Sequence, residues 1–110
     1  FARGSADVKK DYAEVIGRVA TALDEEPKEI SVVGHTDNVR LKSQVRFKDN
    51  QDLSEKRAKA VAAIMTPKLK DAARIRIVGK GDSDPAKPND SDKNRALNRR
   101  VEIFLPKSGK

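Results

Sequence analysis

The sequence predicts an α/β (α+β) domain, a two-layer sandwich in which a mixed sheet of about four strands is packed by two main helices and a short third helix. Short apolar runs alternate with amphipathic segments along the chain. A helical segment joins the strands predicted at 30–33 and 75–78, so these strands should be parallel with a right-handed crossover. The last strand follows a short connection, which favours an antiparallel orientation and therefore a mixed sheet.

The first part of the chain predicts the end of a strand and then a helix. Residues Phe1 to Ser5 are typical of a strand followed by a turn, and a helical pattern starts at Ser5. Its apolar residues recur at spacings of three and four and predict one buried face: Val8, Tyr12, Val15, Ile16, Val19 and Leu23. Pro27 ends the helix, because proline cannot continue it. The acidic run 24–26 is interpreted as a solvated helix end, with a cation site as the alternative.

A short apolar run, a glycine and a long polar loop follow. Ile30–Val33 has three apolar residues in four positions, which predicts a central strand, and Gly34 ends it. Four residues with hydrogen-bonding side chains come next, at 35–38. The loop continues to Gln51, which is long for a compact domain, and loops of this length are usually functional or disordered.

The second half of the chain predicts one long helix, two strands and a short helix. Asp52 with Glu55 three residues later is a capping-box pattern, so we expect a helix over 53–66. The inward face of that helix is predicted to contain Ala58, Val61, Ala62 and Met65. Residues 81–90 are rich in turn-forming types. A short helix from Ser91 or Asp92 to Asn98 and a strand over 101–105 complete the chain, with the domain at 1–106 and a disordered tail at 107–110.

Composition limits the function classes. The chain has 110 residues, a net charge of +7 and no cysteine, which excludes disulfides, thiol catalysis and thiolate metal sites. No apolar run approaches the roughly 20 residues of a membrane-spanning helix. The chain starts with Phe rather than Met, so we expect it to be part of a longer protein. The positive charge favours an anionic partner, and the alternative is that it only keeps the domain soluble.

The residues point to ligand binding rather than to catalysis or nucleic-acid binding. Asp37 follows a strand and Arg57 lies near a helix start, and such groups can face each other across a cleft at the carboxyl ends of strands. Arg57 could bind a carboxylate and Asp37 an ammonium group, or the two could simply pair with each other. No nucleophile motif, phosphate-binding loop or metal-ligand spacing is present, so we expect no enzyme activity and no cofactor. An acid in the cleft would repel phosphate, which argues against nucleic acid.

Four motifs resemble the OmpA-like peptidoglycan-binding domain. They are GHTDN at 34–38, Asn50 with LSEKRA at 53–58, GKGDSDP at 79–85 and NRRVEI at 98–103, and the opening FARGSADV is similar to that family's first strand. The resemblance covers nearly the whole chain and implies a βαβαβ sandwich with a mixed sheet. It also implies non-covalent, non-enzymatic binding of the peptidoglycan stem peptide through meso-diaminopimelate.

The resemblance implies the roles of the site residues. Asp37 and Arg57 would hold the amino and carboxylate groups of diaminopimelate, and Thr36, Asn50, Leu53 and Arg100 would line or support the pocket. His35, Asn98 and Arg99 would have supporting, mostly structural roles. The chain departs from the family pattern in its loop, where NVRLKSQVRFKDNQDLS contains no aromatic residue just before the helix.

The loop and the segments FARGSADV and TALDEEP are most similar to the subset of the family attached to inner-membrane proteins. We therefore expect a periplasmic module that anchors an envelope complex to the cell wall, of the TssL type found in type VI secretion. A flagellar stator domain of the MotB type and a degenerate domain with a protein-interaction role are the alternatives. Other subunits of the complex are expected partners, and a homodimer is left open.

Overall fold

The computed structural model describes residues 1, 5–23, 29–39, 47, 49–69 and 74–104. Its helices and strands follow the order α1 (Lys10–Leu23), β1 (Ile30–Gly34), α2 (Asn50–Met65), a 3-10 turn (Thr66–Lys68), β2 (Ile75–Gly79), α3 (Asp92–Asn98) and β3 (Val101–Phe104). This order confirms the predicted α/β class with two main helices and a short third one. Residues 107–110, predicted to be a disordered tail, lie outside the described residues.

The described strands form a mixed three-stranded sheet with β1 at its centre. The order is β2-β1-β3, with β1 parallel to β2 and antiparallel to β3, so both predicted orientations are confirmed. The sequence predicted about four strands. The additional strand was predicted within Phe1–Ser5, and residues 2–4 lie outside the described part of the chain. Leu105, the predicted end of the last strand, also lies outside it.

Two paired glycines let the first turns of α2 lie directly on the sheet. Gly34 is the register partner of Gly79 at the carboxyl ends of β1 and β2. A Cβ on Gly34 would overlap the carbonyl oxygen of Ser54 and lie 3.2 Å from the backbone nitrogen of Ala58. A Cβ on Gly79 would lie 2.7 Å from Ser54 Oγ. The start of α2 is therefore held at the ends of these strands.

The start of α2 differs from the prediction. The sequence pattern placed the cap at Asp52, but the helix begins at Asn50 and its N-cap is Asp49, whose Oδ1 accepts a hydrogen bond from the Asp52 backbone nitrogen at 2.8 Å. Asp49 is also a favourable capping residue and precedes Asp52 by three positions, so the helix gains one turn. The predicted inward face of α2 is confirmed, because Ala58, Val61, Ala62 and Met65 are all buried.

The first helix also differs from the prediction in its start and in its buried face. It begins at Lys10 rather than at Ser5, because the Ser5 side chain accepts the Asp7 nitrogen at 3.0 Å and the Ser5 carbonyl accepts from Arg57. The core consists of Ala20, Ile30, Val32, Ala58, Val61, Met65 and Leu69. Of the predicted apolar face, Val8, Ile16 and Leu23 pack against this core. Tyr12, Val15 and Val19 are exposed instead.

Candidate functional site

Three polar residues leave the central strand and remain buried. His35, Thr36 and Asp37 follow β1 and are between 1 and 4% exposed. The backbone of this segment is held from two sides, since the His35 nitrogen donates to the Arg100 carbonyl at 2.8 Å and the Thr36 nitrogen donates to the Gly81 carbonyl at 2.8 Å. The segment therefore continues the sheet's hydrogen bonding past Gly34 and fixes the position of Asp37.

Both carboxylate oxygens of Asp37 accept hydrogen bonds. Oδ1 accepts from the Val39 backbone nitrogen at 3.0 Å, and Oδ2 accepts from Arg99 Nη1 at 2.8 Å. The side chains of this ion pair are 6% exposed for Asp37 and 14% for Arg99. A carboxylate withdrawn from water needs such partners, because an unpaired buried charge is costly.

Arg57 is completely enclosed beside this pair. It has no exposed surface, and its Nε donates to the Ser5 carbonyl at 2.8 Å while Nη1 donates to the His35 carbonyl at 3.0 Å. The Phe1 ring lies 5.1 Å from Cζ of the guanidinium, within cation–π range. Burial lowers the pKa of Arg57 to about 10, the charge of Asp37 raises that pKa, and the charge of Arg99 lowers it.

Two of the residues that the resemblance placed around Asp37, Thr36 and Asn50, contact it. Thr36 Oγ1 donates to the Asp37 carbonyl at 2.8 Å. Asn50 Nδ2 donates to the Val39 carbonyl at 3.1 Å and more weakly to the Asp37 carbonyl at 3.4 Å. Leu53 is buried one turn into α2. Asn50 thus links the start of α2 to the segment after β1.

The two consecutive arginines lie in different surroundings. Arg99 contacts Asp37, and its Nε donates to the Phe1 carbonyl at 2.8 Å, whereas Arg100 Nη2 donates to the Asp84 carbonyl at 3.0 Å and Arg100 Nε lies 3.4 Å from Glu102 Oε2. Sequence reasoning gave Arg100 the pocket position and Arg99 a structural role. Alternation along a strand could have indicated that Arg99 rather than Arg100 points toward Asp37, because Arg99 lies two residues before Val101, which packs against the core.

The two remaining supporting residues hold the backbone around the site. His35 Nε2 lies 2.9 Å from Glu102 Oε1, and Nδ1 has no hydrogen-bond partner. Burial and the charge of Arg100 lower the pKa of His35, whereas Glu102 raises it. Asn98 is fully buried and bonds both backbone groups of Lys87, with its Oδ1 accepting the nitrogen at 2.9 Å and its Nδ2 donating to the carbonyl at 2.8 Å.

Sequence reasoning missed the contributions of Phe1 and Ser5. The Phe1 backbone nitrogen donates to the Arg99 carbonyl at 3.0 Å, and the Phe1 carbonyl accepts a hydrogen bond from Arg99 Nε. No sequence motif marks these contacts, since they are made mainly by backbone groups. Together they place the start of the chain over Arg57 and beside Arg99.

The arrangement suits binding of a charged ligand group. No group of three or more His, Cys, Asp and Glu residues that could hold a metal ion occurs within the described ranges. A separate open groove of about 550 Å³ lies between α1 and the end of α2, lined by Ala13, Glu14, Gly17, Arg18, Thr21, Ile64 and Lys68. None of the predicted site residues lines that groove, so the charged cluster after β1 is the candidate site.

Comparison with known proteins gives consistent matches. Curated relatives include YtxE of Bacillus subtilis, 37% identical over 109 residues, and motility protein B of Helicobacter pylori strain J99, 35% identical over 108 residues. These alignments cover 98% and 96% of this chain, which spans only 45% and 42% of the two relatives. None of the described helices is long and apolar enough to cross a membrane.

Solved structures match over nearly the whole chain. The C-terminal domain of Helicobacter pylori MotB aligns with a TM-score of 0.91 at 31% identity, covering 99% of this chain and 83% of that one. The cell wall anchor of the type VI secretion system from Pseudomonas aeruginosa aligns with a TM-score of 0.79 at 36% identity, covering 94% of this chain and 71% of that one. A sequence profile described as the OmpA family matches residues 1–99. The chain therefore belongs to the OmpA family.

Proposed function

We propose that this domain binds peptidoglycan non-covalently through the meso-diaminopimelate of the stem peptide. The observation that carries the proposal is the buried group formed by Asp37, Arg57 and Arg99 at the carboxyl end of the central strand, in a chain of the OmpA family. Diaminopimelate presents an ammonium and a carboxylate on one carbon, so a site containing an acid and arginines complements it.

Each side chain has a role that follows from its chemistry. Arg57 and its neighbour Arg99 face the ligand carboxylate, and Asp37 faces the ligand ammonium group. Thr36 and Asn50 hold the segment that carries Asp37, through the bonds to the Asp37 and Val39 carbonyls, and Leu53 is buried in the first turns of α2 and would support the pocket from there. Binding requires no bond making or breaking, so the domain acts as a binding module without a cofactor.

The biological role of the proposal is anchoring. Among similar solved structures are MotB domains and a structure named as the cell wall anchor of a type VI secretion system. We infer that this domain fixes a membrane-attached envelope complex, of the TssL type, to the cell wall from the periplasmic side. Other subunits of that complex are then its protein partners, and a stator role of the MotB type is the alternative machine.

An NMR titration with a diaminopimelate-containing stem peptide tests the proposal. Saturable chemical-shift changes at Thr36, Asp37 and Arg57 are expected for the unmodified domain. Asp37→Ala and Arg57→Ala should weaken binding about tenfold or more, because each removes a charge-assisted contact. Lys59→Ala is the matched control, since Lys59 is exposed on the same helix as Arg57.

The control should bind as tightly as the unmodified domain. Folding of each variant is checked by its amide spectrum before titration. Absence of shifts at millimolar peptide in the unmodified, folded domain would contradict the proposal and leave a different role for this fold.

The exposed stripe on α1 favours a second candidate, a protein-interaction role. Tyr12, Val15 and Val19 are 63, 50 and 36% exposed on one side of the helix. Sedimentation of the domain beside a Tyr12→Ser, Val15→Ser variant tests self-association through this stripe. A monomer at high concentration in both samples would argue against the dimer form of that role.

A further inference from the structure

The open groove between α1 and the end of α2 is built on one face of α1. Ala13, Gly17 and Thr21 recur at every fourth position, so they lie on the same side of the helix, and all three side chains are small. Ile64 and Lys68 contribute the other side of the groove. The small side chains on α1 leave the space between the two helices open, and its volume is about 550 Å³.

The middle of the groove presents mainly apolar surface. Thr21 Oγ1 donates to the Gly17 carbonyl at 3.0 Å, so this hydroxyl is already satisfied within α1. A Cβ on Gly17 would meet only Lys68 Cε, at 3.6 Å, among the described residues. Ala13 and Ile64 add apolar side chains on either side. A ligand could therefore place an apolar side chain over Gly17.

Two cations at the groove have no internal ion pair. Arg18 and Lys68 are exposed, and neither forms an ion pair or a side-chain hydrogen bond within the part of the chain that the structure describes. Glu14, the one acid that lines the groove, does not pair with them. Five other cations each lie within 3.5 Å of a carboxylate oxygen: Arg76, Lys80, Arg95, Arg99 and Arg100.

Positive charge continues from the groove along the exposed face of α2. Lys56 and Lys59 are exposed on this helix, whereas its two acids, Asp52 and Glu55, lie in the first turns and are half-buried. The outer surface of α2 thus adds cations beside the groove. Such a surface favours a partner that carries negative charge.

We infer that this groove docks an acidic segment of a protein partner, with an apolar side chain over Gly17 and carboxylates against Arg18 and Lys68. The two cations can pair with a ligand without first breaking an internal ion pair. A polymer of phosphates would use the cations but not the apolar middle of the groove. A lipid surface would be entered by exposed apolar side chains, and those of α1, Tyr12, Val15 and Val19, do not line the groove.

This surface is separate from the candidate site, because neither Asp37 nor Arg57 lines the groove. The inference therefore goes beyond the proposed function and does not depend on it. It adds a second contact through which the domain can be held by another protein while the candidate site is occupied.

Two pools of synthetic octapeptides test the inference by NMR titration of the whole chain. In the first pool aspartate alternates with a mixture of alanine, valine, leucine and phenylalanine, and in the second pool asparagine replaces aspartate. We expect the aspartate pool to shift the amide signals of Ala13, Gly17, Thr21 and Ile64, and the asparagine pool to bind at least about tenfold more weakly, as for loss of charge-assisted contacts. Added salt should weaken the binding.

Two variants separate the charge from the shape of the groove. Arg18→Glu with Lys68→Glu should weaken binding of the aspartate pool about 10- to 100-fold, because two attractive contacts become repulsive. Lys87→Glu with Lys93→Glu is the matched control, since it changes the net charge equally at two exposed lysines outside the groove. Gly17→Leu, which fills the groove and leaves both cations in place, should also abolish most of the binding.

Each other outcome overturns the inference. No shifts of the groove residues at millimolar peptide would do so, as would equal binding of the two pools or equal losses in the charge variant and its control. Tighter binding of polyphosphate or of phosphatidylglycerol vesicles than of the aspartate pool would assign the surface to phosphate groups. Shifts of the same residues on concentrating the domain alone would assign it to a second copy of the chain.

The same variants keep this result apart from the proposed function. Binding of the diaminopimelate-containing stem peptide should be unchanged in Arg18→Glu with Lys68→Glu, and binding of the aspartate pool should be unchanged in Asp37→Ala. Failure of the stem peptide to bind would leave the groove inference standing. Loss of both ligands in a folded groove variant would show that the two surfaces are not independent and would overturn the inference.

Discussion

The two long helices are buried to very different extents. Helix α2 buries seven residues, including Ser54 and Arg57, and its first turns lie on Gly34 and Gly79. Helix α1 is more strongly amphipathic in sequence, yet only Gly17 and Ala20 are fully buried in it. Three of its apolar side chains, Tyr12, Val15 and Val19, are exposed to solvent.

The difference shows that close approach, rather than apolar content, determines how deeply a helix is buried here. Two glycines on the sheet allow the backbone of α2 to come near, so even polar side chains such as Arg57 are enclosed and must be satisfied by hydrogen bonds. Helix α1 shows no comparable close approach among its described residues; Ile16, Ala20 and Leu23 contribute to the core and Gly17 is also buried. The more deeply buried helix is also the one that contributes Arg57 to the candidate site.

Substitution of the glycines should produce the largest contrast. Gly34→Ala places a Cβ against the Ser54 carbonyl and Ala58 nitrogen, both backbone atoms that cannot rotate away, so we expect a loss of about 3 kcal/mol or more in the free energy of unfolding. Gly17→Ala meets only Lys68 Cε at 3.6 Å and should gain about 0.5–1 kcal/mol from helix propensity. Urea unfolding measures both. Similar stability for the two variants would contradict the close-approach argument.

Truncation of side chains on the two helices gives the next largest contrast. Met65→Ala removes a completely buried side chain of α2 from the core, so it should cost about 2–5 kcal/mol. Val15→Ala on α1 should change stability by less than about 0.5 kcal/mol, because half of the side chain is exposed. Thermal and urea unfolding of both variants make the comparison. A loss above about 1.5 kcal/mol for Val15→Ala would show that α1 is packed more tightly than described.

The cap of α2 should have a smaller effect. Asp49→Ala removes the acceptor of the Asp52 nitrogen, so we expect a loss of about 1 kcal/mol in the free energy of unfolding. Asp49→Asn keeps an acceptor at the same place and is the control, with a loss of a few tenths at most. Equal losses in the two variants would point to the charge of Asp49 rather than to its capping bond.

Part of the pH dependence of stability should come from His35, which directly follows β1. The pKa of buried His35 is below its ordinary value of 6.5, mainly because of burial, so the unfolded chain binds this proton more readily than the folded one. The contribution is complete above about pH 6.5 and is lost as pH falls through the lower folded pKa. Unfolding free energies between pH 8 and 5 should therefore fall less steeply in His35→Gln. Arg100, Glu102 and Asp84 act on the same group, so equal slopes would assign the dependence to the carboxylates.

Most of the fold could be predicted from local patterns. The apolar run at Ile30–Val33, the stripe from Ala58 to Met65 and the alternation after Val101 each correspond to an observed element. Of the two predicted caps of α3, Ser91 and Asp92, the structure shows Ser91, whose Oγ accepts the Asn94 nitrogen at 3.1 Å. These predictions succeeded because the periodicity of the sequence and the burial of the element coincide.

Apart from the start of α2, which a local cap at Asp49 determines, the failures share one cause: contacts between distant segments override local patterns. Helix α1 starts late because the Ser5 carbonyl is used by Arg57. The exposure of Tyr12 depends on how far α1 lies from its neighbours, which periodicity does not contain. Asp37 and Arg57 were identified from their positions after a strand and near a helix start, and the motif resemblance added their roles. The contact between Asp37 and Arg99 could not be predicted in this way, because it depends on the path of the chain into β3.

The central position of β1 has a consequence for how the chain folds. Gly34 pairs with Gly79 on one side and Val101 on the other, and Ser31 pairs with Phe104, far along the chain. Sheets that depend on such distant pairings form slowly, because loop closure must precede the contacts that stabilise it. Until β3 docks, one edge of the apolar central strand is open to other chains. During synthesis, the arrival of β3 therefore decides when the central strand is protected from aggregation.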